Sequence, residues 1–126
     1  MVDVLTVDDQ EIFRAVAREV IDATPGFEPS GEAASGLEAL ALIADSRAGL
    51  ALVDVRIPGM DGVETARRLR AADPELVIVL ISLEERRDLP SSVSACGAAA
   101  LVRKQDFCPR LLKKLWAEHG NERSDA

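Results

Sequence analysis

Residues 50–62 read Leu50-Ala51-Leu52-Val53-Asp54-Val55-Arg56-Ile57-Pro58-Gly59-Met60-Asp61-Gly62. The apolar run that Asp54 ends is short, and Pro58, Gly59 and Gly62 follow it closely, the pattern of a buried parallel strand over residues 50–54 opening into a loop. Asp54 then sits at the carboxyl edge of a sheet, where open α/β sheets bind their ligands. A carboxylate there is costly to desolvate unless something positive meets it. Asp54 therefore reads as a ligand-bearing group or as a loop cap.

Strand and helix signals alternate outward from this stretch. Residues 2–7 are rich in Val and Leu, and residues 10–23 carry Ile12, Phe13, Val16, Val20 and Ile21 at helical spacing before Pro25 and Gly26. Residues 27–34 suit an edge strand, because Pro29 cannot donate to a ladder. Ser35 with Glu38, and Asp61 with Glu64, have capping-box spacing ahead of two helices, one closed by Gly49 and the other by Pro74. Residues 75–81 are apolar almost without interruption, as in a strand covered on both faces. Residues 89–96 make a poor helix, with Pro90, Ser91, Ser92 and Ser94, and are expected to be the least stable element. Residues 98–102 form a small-residue strand, and Asp106 is expected to cap a last helix carrying Leu111, Leu112, Leu115 and Trp116. Five strands alternating with five helices predict a single-domain, doubly wound α/β fold over residues 1–119, with a parallel sheet covered on both faces. Residues 120–126 are polar and read as a tail or the start of a linker.

A chain of 126 residues can bury a core without metal or disulfide staples. Its net charge of -7, from 15 basic and 22 acidic residues, argues against binding a phosphate backbone. Arg67, Arg68 and Arg70 do cluster, but Glu64 and Asp73 flank them as on a solvated helix face. Cys96 and Cys108 have no metal-site spacing and read as packed thiols, not a disulfide. With neither a signal-peptide pattern nor a membrane-length apolar stretch, the expected location is cytoplasmic.

The strand ends carry Asp8 and Asp9, Asp54, Ser82 and Lys104. In the flavodoxin-like strand order 2-1-3-4-5 these fall on one rim at the switch point. Clustered carboxylates repel unless a cation neutralises them, and Mg²⁺ suits such a set because it binds through one or two carboxylates plus a phosphate oxygen. Asp54 is then a nucleophile toward a phosphoryl donor, with Lys104 sharing the charge on the transferred group. Taken singly, Asp9 and Asp61 are ordinary caps, Ser82 a turn residue and Lys104 a surface residue. The coincidence of Asp8 and Asp9, Asp54, Ser82 and Lys104 at four strand ends favours phosphoryl transfer. A hydrolase would need an acid or base near Asp54, and the only histidine, His119, stands at a distant helix end. Gly59 to Gly62 reads as a turn and not as a flavin phosphate cradle.

With these residues in place, nearly the whole chain resembles the receiver domain of two-component response regulators. The acidic pair matches Asp8 and Asp9, the phosphoacceptor matches Asp54 in V-D-V-R-I-P-G-M-D-G, the switch hydroxyl matches Ser82 and the lysine matches Lys104. The resemblance implies a phosphoacceptor signalling domain rather than an enzyme, with metal-binding positions at Asp8, Asp9, Asp54 and Arg56. It implies Mg²⁺-dependent phosphorylation of Asp54 by a histidine kinase or phosphotransfer protein, and a switch in the region of the fourth helix and fifth strand. A homodimer through the fourth helix, fifth strand and fifth helix, and a DNA-binding output domain for transcription regulation in a longer chain, also follow from the likeness. The domain itself is expected to make no nucleic-acid or membrane contact. Four positions depart from the family's habit. Leu101 replaces an aromatic switch residue, Leu83 a small residue beside Ser82, Gln105 a proline after Lys104, and Arg56 stands where it can affect access to the phosphoryl group. These departures keep open an alternative, a phosphorylation-independent pseudo-receiver acting as a protein-interaction module.

Overall fold

In the computed structural model, which describes residues 1–120, the aliphatic runs become one five-stranded parallel sheet. The strands are β1 (Val2–Val7), β2 (Phe27–Ala33), β3 (Leu50–Asp54), β4 (Val77–Ser82) and β5 (Ala100–Arg103), in the order β2-β1-β3-β4-β5. Four α-helices accompany them: α1 (Glu11–Asp22), α2 (Gly36–Ile43), α3 (Gly62–Ala72) and α4 (Pro109–His119). Residues 121–126, most of the expected polar tail, lie outside the described residues.

The central strands are apolar on both faces because both faces are covered. Leu50 and Leu52 of β3, with Val77, Val79 and Ile81 of β4, pack under Phe13, Ala17 and Ile21 of α1 and Leu112 and Leu115 of α4. The alternate residues Ala51, Val53, Ile78 and Leu80 pack under Ala39 and Ile43 of α2 and Val63, Ala66 and Leu69 of α3. Pro29 does lie on an edge strand, beside a register shift that pairs Val4 with Pro29 but Leu5 with Gly31.

Two expectations need correction. The fourth of the five expected helices, over residues 89–96, does not form; the connection between β4 and β5 holds only two 3-10 turns, Arg86–Asp88 and Ser91–Ala95. Pro90 and three serines supply little helix propensity, and only Val93 of these turns is buried. Nor does Asp106 cap the last helix. Asp106 lies in the 3-10 turn Lys104–Asp106, and α4 starts later, with Cys108 at the N-cap and Pro109 in the first turn. The other two caps form as the spacing predicts: Ser35 Oγ accepts from Glu38 N and Asp61 Oδ1 accepts from Glu64 N.

Strand register sets the rim. Val7 pairs with Val53, Asp54 with Ile81, and Ser82 with Arg103, so β1, β3, β4 and β5 stop at one level. The chain then turns so tightly that Gly62 lies against Asp54. A Cβ at position 62 would overlap the Asp54 carbonyl oxygen, and Gly62 N donates instead to Val55 O at 3.0 Å.

Candidate functional site

Three strand ends repeat one local device. Asp8 Oδ1 accepts from Gln10 N at 2.8 Å, Asp54 Oδ1 from Arg56 N at 3.0 Å, and Ser82 Oγ from Glu84 N at 2.9 Å. Each side chain takes the amide two residues on, which turns its loop away and leaves the rest of the polar group facing the rim. For Asp8 and Asp54 the remaining oxygen faces the same cation. Lys104 Nζ lies 2.7 Å from Asp8 Oδ2 and 3.1 Å from Asp54 Oδ2, and the lysine side chain is only 7% exposed. For Ser82, accepting that amide leaves its own O–H free to donate.

The buried charges set the electrostatics. Burial pushes the Asp54 carboxyl above its ordinary value, and the nearby charge of Asp8 adds to that, while the Arg56 amide and Lys104 oppose it. Burial alone would lower Lys104, but Asp8 and Asp54 outweigh it and hold the ammonium above its ordinary value. Asp8 Oδ2 is buried and accepts no well-directed hydrogen bond despite its ion-pair distance to Lys104.

Asp8, Asp9 and Asp54 each offer a carboxylate oxygen, and these oxygens lie within 4.8 Å of one another. Three hard oxygen donors, one incompletely satisfied and buried, fit a small divalent cation. Asp9 is exposed and is not the cap of α1, a position taken by Gln10 without a side-chain bond. Arg56, the fourth expected metal-binding position, does not turn its side chain toward the acids. Its guanidinium, a donor only, pairs with Glu84 at 2.8 Å and 3.3 Å, so only its main-chain oxygen could face a cation. A cavity of about 210 Å³ opens at this point, lined by Gln10, Asp54, Arg56, Leu83, Glu84 and Lys104. Leu83 is 66% exposed at its wall, whereas Leu101 is half-buried against the core under α2 and α3.

Several residues that shape the site carry no clear sequence signal. Arg14 donates to Asp8 O at 2.8 Å and lies 3.4 Å from Glu32, which Arg18 also grips at 2.6 Å. The acidic loop is thereby tied to the edge strand. Phe13 places its ring under Lys104, with Nζ 4.8 Å from the centroid. Helical periodicity marks Phe13 as core but not as a neighbour of Lys104. Arg67 and Arg68 pair with Glu64 on the exposed face of α3, while Arg70 reaches Pro74 O and Gly97 O. Cys96 is buried, Cys108 is exposed, and both are free thiols.

Residues 4–115 match the family described as response regulator receiver domain. The response regulator UvrY of Escherichia coli K12 is 30% identical over 104 residues, 82% of this chain and 48% of that protein. A protein-glutamate methylesterase/protein-glutamine glutaminase of Nocardioides is 33% identical over 107 residues, 85% of this chain and 28% of that protein. The chain thus spans half or less of the length of these curated relatives. Among solved structures, the chemotaxis protein CheY4 of Vibrio cholerae superposes with a TM-score of 0.78 at 30% identity, covering 94% of this chain and 98% of that one.

Proposed function

The chain belongs to the response regulator receiver family, and on that premise we propose that it takes a phosphoryl group on Asp54 from a histidine kinase or phosphotransfer protein. The observation that carries this reading is the meeting of Asp54 with Asp8, Asp9 and Lys104 on one rim, beside an open cavity. A carboxylate oxygen of Asp54 attacks phosphorus, the bond from phosphorus to the donor breaks, and the leaving group departs with the electron pair. Asp8, Asp9 and Asp54, with the main-chain oxygen of Arg56, would hold Mg²⁺. The ion would supply positive charge against the phosphoryl oxygens. Lys104 shares that charge, and Ser82 offers its free O–H to a phosphoryl oxygen.

Such a new hydrogen bond biases the loop after β4. A charge-assisted bond of roughly 1.5 to 3 kcal/mol shifts a two-state ratio about tenfold to a hundredfold. The weakly built 3-10 connection following Ser82 suits a movable element. We read the domain as a cytoplasmic control unit that acts on an output domain in a longer chain, DNA-binding in a transcription regulator, and that pairs with a second copy through its β5 side. No helix among the described residues is long and apolar enough to cross a membrane.

Incubation with acetyl phosphate and Mg²⁺, followed by intact-mass analysis, tests the proposal. One added phosphoryl group is expected, absent in Asp54→Asn. An unmodified wild type, under conditions that modify a known receiver, would overturn it in favour of a module that works by protein contact alone.

A further inference from the structure

We propose that Phe13 is a positioning residue for Lys104, holding the ammonium at the site through the face of its ring. Among the described residues, Lys104 Nζ meets Asp8 at 2.7 Å, Asp54 at 3.1 Å and the Phe13 ring at 4.8 Å. The two carboxylates are also the groups a divalent cation would claim, so a cation entering the site competes with the lysine for both. An aromatic face attracts an ammonium and has no affinity for a small hydrated dication in competition with carboxylates. The ring is therefore the one partner that Lys104 keeps whether the carboxylates face it or a metal.

The ring is itself held. Phe13 is 8% exposed on α1, and its plane leans on Phe107 at a centroid distance of 6.5 Å and an angle of 49°. Phe107 lies three residues past Lys104, so the strand end that delivers the lysine also delivers the brace for its aromatic support. Desolvation strengthens a cation–π contact, and this one is almost closed to water. The inference rests on the reading of Asp54 as phosphoacceptor.

The test measures the rate of phosphorylation by acetyl phosphate at saturating Mg²⁺ in wild type, Phe13→Leu, Phe13→Tyr, Lys104→Met and the double variant Phe13→Leu/Lys104→Met, each first shown to be folded by circular dichroism. Leu keeps an apolar filler without the ring face, and Tyr keeps the face. Phe13→Leu is expected to react about tenfold more slowly and Phe13→Tyr within about twofold of wild type. In the Lys104→Met background, Phe13→Leu should leave the residual rate unchanged, which a general packing defect would not do. Proton NMR supplies a readout that needs no lysine variant: the Lys104 Cε protons should be shifted upfield by the ring, with and without Mg²⁺, and lose that shift in Phe13→Leu. An undiminished Phe13→Leu, equal slowing in both lysine backgrounds, or a shift that vanishes on adding Mg²⁺ overturns the role of Phe13 alone. A wild type that is never modified sinks the phosphoacceptor reading and this one with it.

Discussion

Lys104 Nζ lies 2.7 Å from Asp8 Oδ2, and this contact joins the end of the outermost strand β5 to the end of β1 across two intervening strands. Removing the lysine leaves two buried carboxylates facing each other. Lys104→Met is expected to lose about 3 kcal/mol of stability, because breaking a buried pair strands its partners. Added Mg²⁺ should restore more stability to this variant than to wild type, where the cation must displace the lysine. Urea unfolding with and without Mg²⁺ measures both effects, and equal responses to the ion would contradict the picture.

Asp54 should make stability depend on pH with a definite sign. Burial raises its carboxyl above the ordinary value of 3.8, so the folded state binds the proton more tightly than the unfolded chain. Its favourable contribution is complete below that ordinary value and is lost as pH rises through the folded one. Asp54→Asn carries no such charge and should be more stable than wild type at neutral pH, by the order of 1 kcal/mol or a few degrees in Tm. The gap should close in acid. Melting curves across the acid range would refute this if Asp54→Asn were the less stable protein at neutral pH.

Gly62 couples packing to chemistry. A methyl group there would overlap the Asp54 carbonyl oxygen, and that neighbour is backbone that cannot swing aside. Gly62→Ala is expected to cost about 1–3 kcal/mol as an overpacked site. Because the displaced strand end bears Asp54, Mg²⁺ affinity measured by calorimetry should fall as well. Gly59→Ala serves as the control: it strains a turn with φ of 78° but meets nothing within 4 Å.

The connection between β4 and β5 should be the first part of the molecule to open. Its two 3-10 turns bury only Val93 and have short-range hydrogen bonds in place of a helical ladder. Amide exchange over residues 83–97 should be faster than in α1 or α3. Protection equal to that of α3 would mean a longer helix forms there in solution.

What the sequence made legible follows from how local each signal is. The apolar run ending at Asp54 has the same limits in the structure because a strand buried on both faces leaves no polar position to blur its ends. Ser35 and Asp61 cap helices because the bond they make spans three residues. Asp106 misled because cap preference was weighed without Pro109, whose fixed φ starts α4 three residues later. The expected fourth helix, over residues 89–96, failed where propensity was already poor. Contacts such as Arg14 with Asp8 O, Arg56 with Glu84 and Lys104 with Phe13 depend on where distant elements come to lie. No periodicity reports them.

The strand order has one further consequence. The acids stand on β1 and β3, each hydrogen-bonded to strands on both sides, while Lys104 follows β5, a margin of four residues paired only with β4. The anionic half of the pocket is anchored and the cationic half hangs from a hem. Any charge newly placed between them will pull the hem inward before it shifts the anchor, so displacement starts at the border of the sheet, within reach of whatever lies beside it.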